Sequence, residues 1–514
     1  MRGKDSGTTM ENADAGERLR HLGSRRINDG SIGIIDTTLR DGQQCLWATR
    51  MTTGMMTPIV DAMARSGYDM IDFMAPVQFD VCVRYLKENP WEKARLFHQH
   101  FPNTPLRGYC RSKSLIGFNL VPDDIVETWI EQLHANGFGV VGTLDALFDI
   151  DNMTLSLKHA KKLGMYSVAA LVFCESPVHT DELYAHTARE LIKRADIDAV
   201  MIKDSGALLT PDRIRTLVPA LKAVIGDRPL ELHSHCNTGL APLVYLEAAK
   251  LGVTQLHASV APLASGPAQP SVQNTLRNLD LAGVATEIDS AQIEQISDYL
   301  HDLAKREGFP LGQPMEYDLF HYKHQMPGGM LSNWRFQLQQ SGLADCFDEI
   351  LEEIVRIRAE LGWPIMVTPF SQIIAVQAMM NVVGGERYGS VADEIKMYAL
   401  GHFGKLLAPV EPDVLDRVVE NGSKKIPIEC KPLQPAMPEL RRKYPHLGDD
   451  ERLLRYMFAG DEVDEMAAAG PLKTTMNGGA PLENLLKALN DRSSVTRFEL
   501  ERGNTRVAYL RTNK

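Results

Sequence analysis

The sequence predicts an α/β protein: a (β/α)8 TIM barrel over residues 31–310, a mostly helical domain over 311–460, and a small C-terminal αββ segment over 481–514. Three observations carry this expectation. Short apolar runs alternate with amphipathic stretches of helical period eight times between Ser31 and about residue 310. Charged residues collect at the C-terminal ends of those runs, the end at which barrel enzymes gather their chemistry. The rival doubly wound sheet would place a Gly-rich phosphate loop after its first strand, and none follows here.

Residues 1–30 are polar and lack the apolar stretch of a secretory signal, so they read as a flexible lead-in. Strands are expected at 32–36, 70–73, 105–108, 140–145, 166–173, 199–203, 230–235 and 255–260. Helical patterns lie between them at 58–66, 123–136, 153–163, 181–194 and 241–251. Past residue 310, a Pro-Gly-Gly turn falls within 320–333, and helices are expected at 349–361, 368–383, 390–400 and 412–420. Residues 422–437 are rich in Lys and Pro and read as a surface linker, 438–456 as helical again, and 461–480 as a flexible linker. The end of the chain reads as a helix at 482–489 and a hairpin of 496–500 with 506–510. That unit is too small to bury a core alone and is expected to dock on something.

At 514 residues, 24% charged and with a net charge of −11, the chain suits neither nucleic acid nor an anionic membrane surface. No run approaches the roughly 18 apolar residues of a membrane span. The seven cysteines are scattered without a CxxC, which suits reduced thiols and a cytoplasmic location. Cys236 falls inside the candidate site, where small-residue packing is the favoured role.

The candidate site is assembled from strand ends. His233-Ser234-His235 is an HxH. On a strand both rings share a face and can reach one metal ion, or both are structural. Asp41, after the first strand, would add a carboxylate, leaving open positions on Zn²⁺ or Mn²⁺. Lys203 ends an apolar strand. Either it pairs with Asp204, or it loses its proton, or it takes up CO2 to form an anionic carbamate that can ligate a metal. Arg107 ends the third strand and is either a rim ion pair or a carboxylate binder. Thr368-Pro369 reads as a helix N-cap with Pro in the first turn, or as a hydroxyl brought over the barrel mouth.

Taken together, these motifs resemble the carboxyltransferase component of biotin-dependent enzymes. These include pyruvate carboxylase, the alpha subunit of oxaloacetate decarboxylase and the large carboxyltransferase subunit of transcarboxylase. The likeness spans roughly residues 30–430 and rests on DTTLRDGQQCLWATR, FDVCVRYLKENPWEKARLF, LRG, IKD, HSHCNTG, QMPGGMLSN and VTPFSQI. It implies a divalent metal on Asp41, carbamylated Lys203, His233 and His235. It implies that Arg40, Gln44 and Arg107 hold a 2-oxo acid, and that Thr368 relays a proton between carboxybiotin and the enol. It also implies a homodimer. The sequence contains no biotin-attachment motif, so biotin is expected on a separate carrier protein that works with a biotin carboxylase subunit. The C-terminal segment is similar to the leading part of bacterial biotin carriers and is expected to help dock a partner. The departures are MAPVQFD, GTLDALFD, Phe173 and the loop SVAPLASGPAQPS. They remove polar side chains that the family usually has, which points to a substrate larger or less polar than pyruvate. Two alternatives stand beside this reading: a biotin-independent metal-dependent aldolase or lyase of the same barrel superfamily, and a non-catalytic scaffold subunit.

Overall fold

The structure is a computed structural model. It describes residues 6–328, 331, 334, 338–340, 342, 344–476, 485, 489, 492, 495–502 and 505–511. Eight parallel strands close a barrel: β1 (Gly33–Asp36), β2 (Met70–Met74), β3 (Leu106–Arg111), β4 (Phe138–Leu144), β5 (Tyr166–Val172), β6 (Ala199–Asp204), β7 (Leu230–Ser234) and β8 (Gln255–Ala258). Closure is made by β8 pairing with β1, Leu256 opposite Ile34 and His257 opposite Ile35. Strands buried on both faces read as continuous apolar runs, which is why each one is visible in the sequence.

The N-terminal segment departs from the expected flexible lead-in. Residues Ser6–Asp29 form a helix, α1. Ala15 and Leu19 are buried, and Arg26 forks onto Asp69 at the start of β2, with Nε donating to Oδ2 at 2.8 Å. Arg20 reaches Asp198, just before β6, at 2.8 Å. The helix therefore lies across the N-terminal end of the barrel, opposite the end where the strands' charged residues collect. Its apolar stripe is narrow and its outer face is polar, so the segment reads as a tail in composition.

A second hydrophobic core gathers Leu338, Phe347, Ile350, Ile354, Phe370, Ile374, Ile395 and Val418. It is built mainly on α2 (Phe347–Glu360) and α3 (Phe370–Gly384), with Asp393–Ala399 and Pro412–Asn421 packed alongside. The expected boundary at residue 460 does not hold for this core. Met437, Leu440, Leu453, Leu454, Phe458, Val463 and Met466 belong instead to the core of the barrel. After the coil at 422–436 the chain returns to the outside of the barrel, where the Trp91 indole donates to the Asp450 carbonyl at 3.0 Å. The expected flexibility after residue 460 is also replaced by order. Gly460–Ala468 is a helix, and Arg84 pairs with Glu462 at 3.1 Å. The C-terminal hairpin is present as antiparallel Arg497–Arg502 and Thr505–Leu510. Most of the expected helix at 482–489 and part of the Pro-Gly-Gly turn lie outside the described residues.

Candidate active site

The site begins where β1 ends. The Asp36 carboxylate accepts from the Thr38 amide at 3.1 Å and the Thr38 hydroxyl at 2.6 Å. The chain then makes a π-helical turn over Thr38–Gly42. Such a turn carries an extra residue per ring and re-aims side chains, which is why it recurs at functional sites. Here it places Arg40 and Asp41 in the barrel mouth. Gly42 must be glycine, because a Cβ there would stand 2.5 Å from the Leu263 carbonyl oxygen.

Asp41 meets both histidines of the HxH. Its Oδ2 lies 3.1 Å from His233 Nε2 and 3.0 Å from His235 Nε2, while its Oδ1 pairs with Arg40 at 2.7 Å. Burial alone would push the Asp41 carboxyl up; the Arg40 guanidinium leads the groups that outweigh it and hold it well below the usual carboxylate range. Burial, with Lys203 alongside, holds the His233 ring well below its usual range and so neutral, the form that ligates metals. The Pro267 carbonyl accepts from His235 Nδ1 at 2.6 Å, which leaves a lone pair on Nε2. One oxygen and two imidazole nitrogens thus converge within ligand spacing of one another, a donor set that fits a divalent cation.

Lys203 completes this group. Its Nζ is 3.4 Å from His233 Nε2, and it lies 5.6 Å from the centre of the Tyr109 ring. The expected alternative, a Lys203–Asp204 pair, is not made. The Asp204 carboxylate accepts instead from the Leu208 and Leu209 amides and the Ser234 hydroxyl. Burial, helped by Arg40, lowers the Lys203 ammonium to about 8. An amine that sheds its proton this readily is open to CO2.

A cavity of about 740 Å³ opens on these groups, lined by Arg40, Asp41, Gln44, Lys203, His235 and Thr368 among others. Gln44 is half-buried. Its oxygen accepts from Gln78 at 3.3 Å, which leaves its amide N–H groups for the cavity. Thr368 comes from the second core and sits in the wall of the barrel mouth. The N-cap of α3 is Pro369, without a side-chain cap, so the capping alternative for Thr368 falls away. Among the described residues its hydroxyl has no protein partner.

Of the predicted site residues the cavity does not receive two: His233, buried behind Asp41 and Lys203, and Arg107. Arg107 is fully buried below the mouth, its Nη2 donating to Glu231 at 2.8 Å and its Nη1 3.4 Å from Asp72. Burial works against its charge, and the two carboxylates outweigh burial and hold it protonated.

A family model described as the conserved carboxylase domain matches residues 322–505, and one described as HMGL-like matches 146–300. A pyruvate carboxylase subunit of Methanocaldococcus jannaschii is 39% identical over 411 residues, 79% of this chain and 71% of that protein. The chain belongs to the carboxyltransferase family of biotin-dependent enzymes. The methylmalonyl-CoA carboxyltransferase 5S subunit of Propionibacterium freudenreichii subsp. shermanii is 31% identical over 434 residues, 83% of this chain and 85% of that one. The carboxyl transferase domain of Rhizobium etli pyruvate carboxylase shares the fold, with a TM-score of 0.82 at 23% identity over 92% of this chain and 83% of that one.

In this carboxyltransferase the site also holds residues that sequence reasoning passed over. Gly142 makes room for Tyr109, since a Cβ there would lie 2.3 Å from the Tyr109 ring. Tyr109 shares its strand face with Arg107 two residues earlier, a period-2 signal that could have found it. It lines the cavity and donates to Asp72 at 3.2 Å. The loop after β8, which read as stripped of polar groups, returns Gln269 to the site, where its amide donates to Asp41 Oδ2 at 2.6 Å. Arg111 also lines the cavity. Burial lowers its guanidinium to about 10, with Asp80 acting the other way. Cys236 packs as expected: it is 4% exposed, and burial pushes its thiol far up.

Proposed function

We propose that this carboxyltransferase moves a carboxyl group between carboxybiotin on a separate carrier protein and a 2-oxo acid, at a site completed by both cores of the chain. The observation that carries the reading is the convergence of Asp41, Lys203, His235 and Thr368 on one cavity, with His233 buried beside them, its Nε2 3.1 Å from Asp41 and 3.4 Å from Lys203. A divalent ion held by Asp41, His233, His235 and the carbamate of Lys203 would supply positive charge against enolate oxygen, and carboxybiotin would supply the carboxyl group and then a base. Arg40, whose Nε lacks a hydrogen-bond partner among the described residues, and the Gln44 amide bind the carboxylate and carbonyl of the 2-oxo acid. Thr368 Oγ takes the proton from the carbon next to the carbonyl as it passes its own to the biotin ring, so the hydroxyl ends the step unchanged in charge. Buried Tyr109 and the helical core keep water from the enolate.

The altered wall at Gly142 and Tyr109 supports an acceptor larger than pyruvate. One relative, from Hydrogenobacter thermophilus, is named a 2-oxoglutarate carboxylase large subunit, at 32% identity over 397 residues. The partners in this reading are a biotin carrier and a biotin carboxylase subunit, with the C-terminal hairpin helping to dock them. The chain acts as a homodimer in the cytoplasm, where its seven free thiols stay reduced. Among the described residues no helix is long and apolar enough to cross a membrane.

The test is decarboxylation of a panel of carboxylated 2-oxo acids by metal-replete protein, with and without free biotin. Biotin-stimulated turnover, greater on a larger acid than on oxaloacetate, is expected. Biotin-independent cleavage would move the chain to a lyase. Preference for oxaloacetate would remove the larger-acceptor reading alone.

A further inference from the structure

His233 and His235 both present Nε2 to Asp41, and an imidazole ligates only through a lone pair. Each ring must therefore carry its proton on Nδ1. For His235 the Pro267 carbonyl fixes this. For His233 the neighbour is another ring, with Nδ1 3.2 Å from Nδ1 of His257. A hydrogen bond between two ring nitrogens holds one proton, so the ring that donates decides whether His233 can ligate.

The rest of the chain of contacts settles the direction. His257 Nε2 lies 3.0 Å from Glu231 Oε2, and the other Glu231 oxygen accepts from Arg107 at 2.8 Å. An ion-paired carboxylate accepts and does not donate, so His257 directs an N–H at Glu231. With that N–H spent on Glu231, the acceptor a neutral His257 ring offers is its Nδ1 lone pair, the partner that a ligating His233 needs for its own Nδ1–H. This leaves the His233 Nε2 lone pair facing Asp41 and His235. Gln269 agrees: its oxygen accepts from the Thr37 hydroxyl, so the group 3.3 Å from His233 Nε2 is its N–H donor. Asp72, 3.6 Å from His257 Nδ1, is too far to compete. Glu231, His233 and His257 are fully buried, so water does not substitute for any of these partners.

We propose that Glu231 and His257 are positioning residues that lock His233 in its metal-ligating tautomer, with Arg107 anchoring Glu231. An anionic end to this chain also makes His233 a stronger donor than a carbonyl partner would. The inference rests on the metal reading above and gives three buried barrel groups, distant from any substrate, a part in the chemistry.

The test uses the full chain stripped of metal and titrated with Zn²⁺ against a chromophoric chelator. His257→Phe keeps the Arg107–Glu231 pair and is expected to weaken Zn²⁺ binding by about 10- to 100-fold. It should also shift the visible spectrum of the Co²⁺-loaded protein. Nitrogen-15 spectra of histidine-labelled, Zn²⁺-loaded wild type read the tautomer without any substitution, and so decide the matter should the variant fail to fold. The expected pattern is a protonated Nδ1 on His233 and an unprotonated Nδ1 on His257. The reverse pattern, or wild-type affinity in a folded His257→Phe, overturns the inference while leaving the metal reading intact. A wild-type chain that takes up no divalent ion overturns both.

Discussion

Arg107 and Lys203 are both cations buried inside one barrel, and their neighbours give them opposite fates. Arg107 is held by Glu231 and Asp72 and stays charged. Replacing it with Met strands buried carboxylate charge, which should cost about 3–5 kcal/mol in urea unfolding. A variant that keeps its stability and only raises the KM for the 2-oxo acid would return Arg107 to a substrate-binding role. Among the described residues Lys203 pairs with no carboxylate, and burial brings its ammonium to about 8. The amine form, which reacts with CO2, therefore grows as pH rises through about 8 rather than through the ordinary lysine range. Activation of stripped protein by CO2 plus metal should climb across that interval and be lost in Lys203→Arg. Activation that is flat with pH, or independent of CO2, would contradict the carbamate.

At the scale of elements, the barrel strands were legible because burial on both faces leaves a plain apolar run, and the strand-end positions of Asp41, Lys203, His233 and His235 followed from it. The π turn after β1 was not legible, since TLRDG carries no signal of helical pitch. Yet that turn aims Arg40 and Asp41. Gly42→Ala would push its Cβ against the Leu263 carbonyl and rotate the turn. The expected result is at least about a tenfold loss of metal affinity, with a smaller change in melting temperature; unchanged affinity would show that the turn tolerates the shift. Gln269, Glu231 and His257 escaped the sequence reading for a different reason. Their importance lies in contacts across the barrel, Gln269 to Asp41 and His257 to His233, that no local pattern encodes. Helix α1 escaped because its contact stripe is narrow, and the helix at Gly460–Ala468 because its surface is polar and rich in small residues.

For the whole molecule, the decisive feature is that two cores meet at one cavity. The barrel brings Arg40, Asp41, Gln44, Lys203 and His235 to the cavity wall, and the helical core brings Thr368. The C-terminal hairpin lies beyond both, in keeping with a docking role. Deleting residues 480–514 should lower turnover with the carrier-bound cofactor while sparing turnover with free biotin, and equal loss in both assays would argue for a folding role instead. The most direct test of the shared site is Thr368→Ala beside Thr368→Ser, assayed for biotin-stimulated decarboxylation by metal-loaded protein. The predicted result is a loss of about 10²- to 10⁴-fold in kcat for the alanine variant, with 2-oxo acid affinity and metal content unchanged, and substantial recovery in the serine variant. Wild-type kcat in Thr368→Ala would contradict the shared site, because the helical core would then contribute no group to the chemistry.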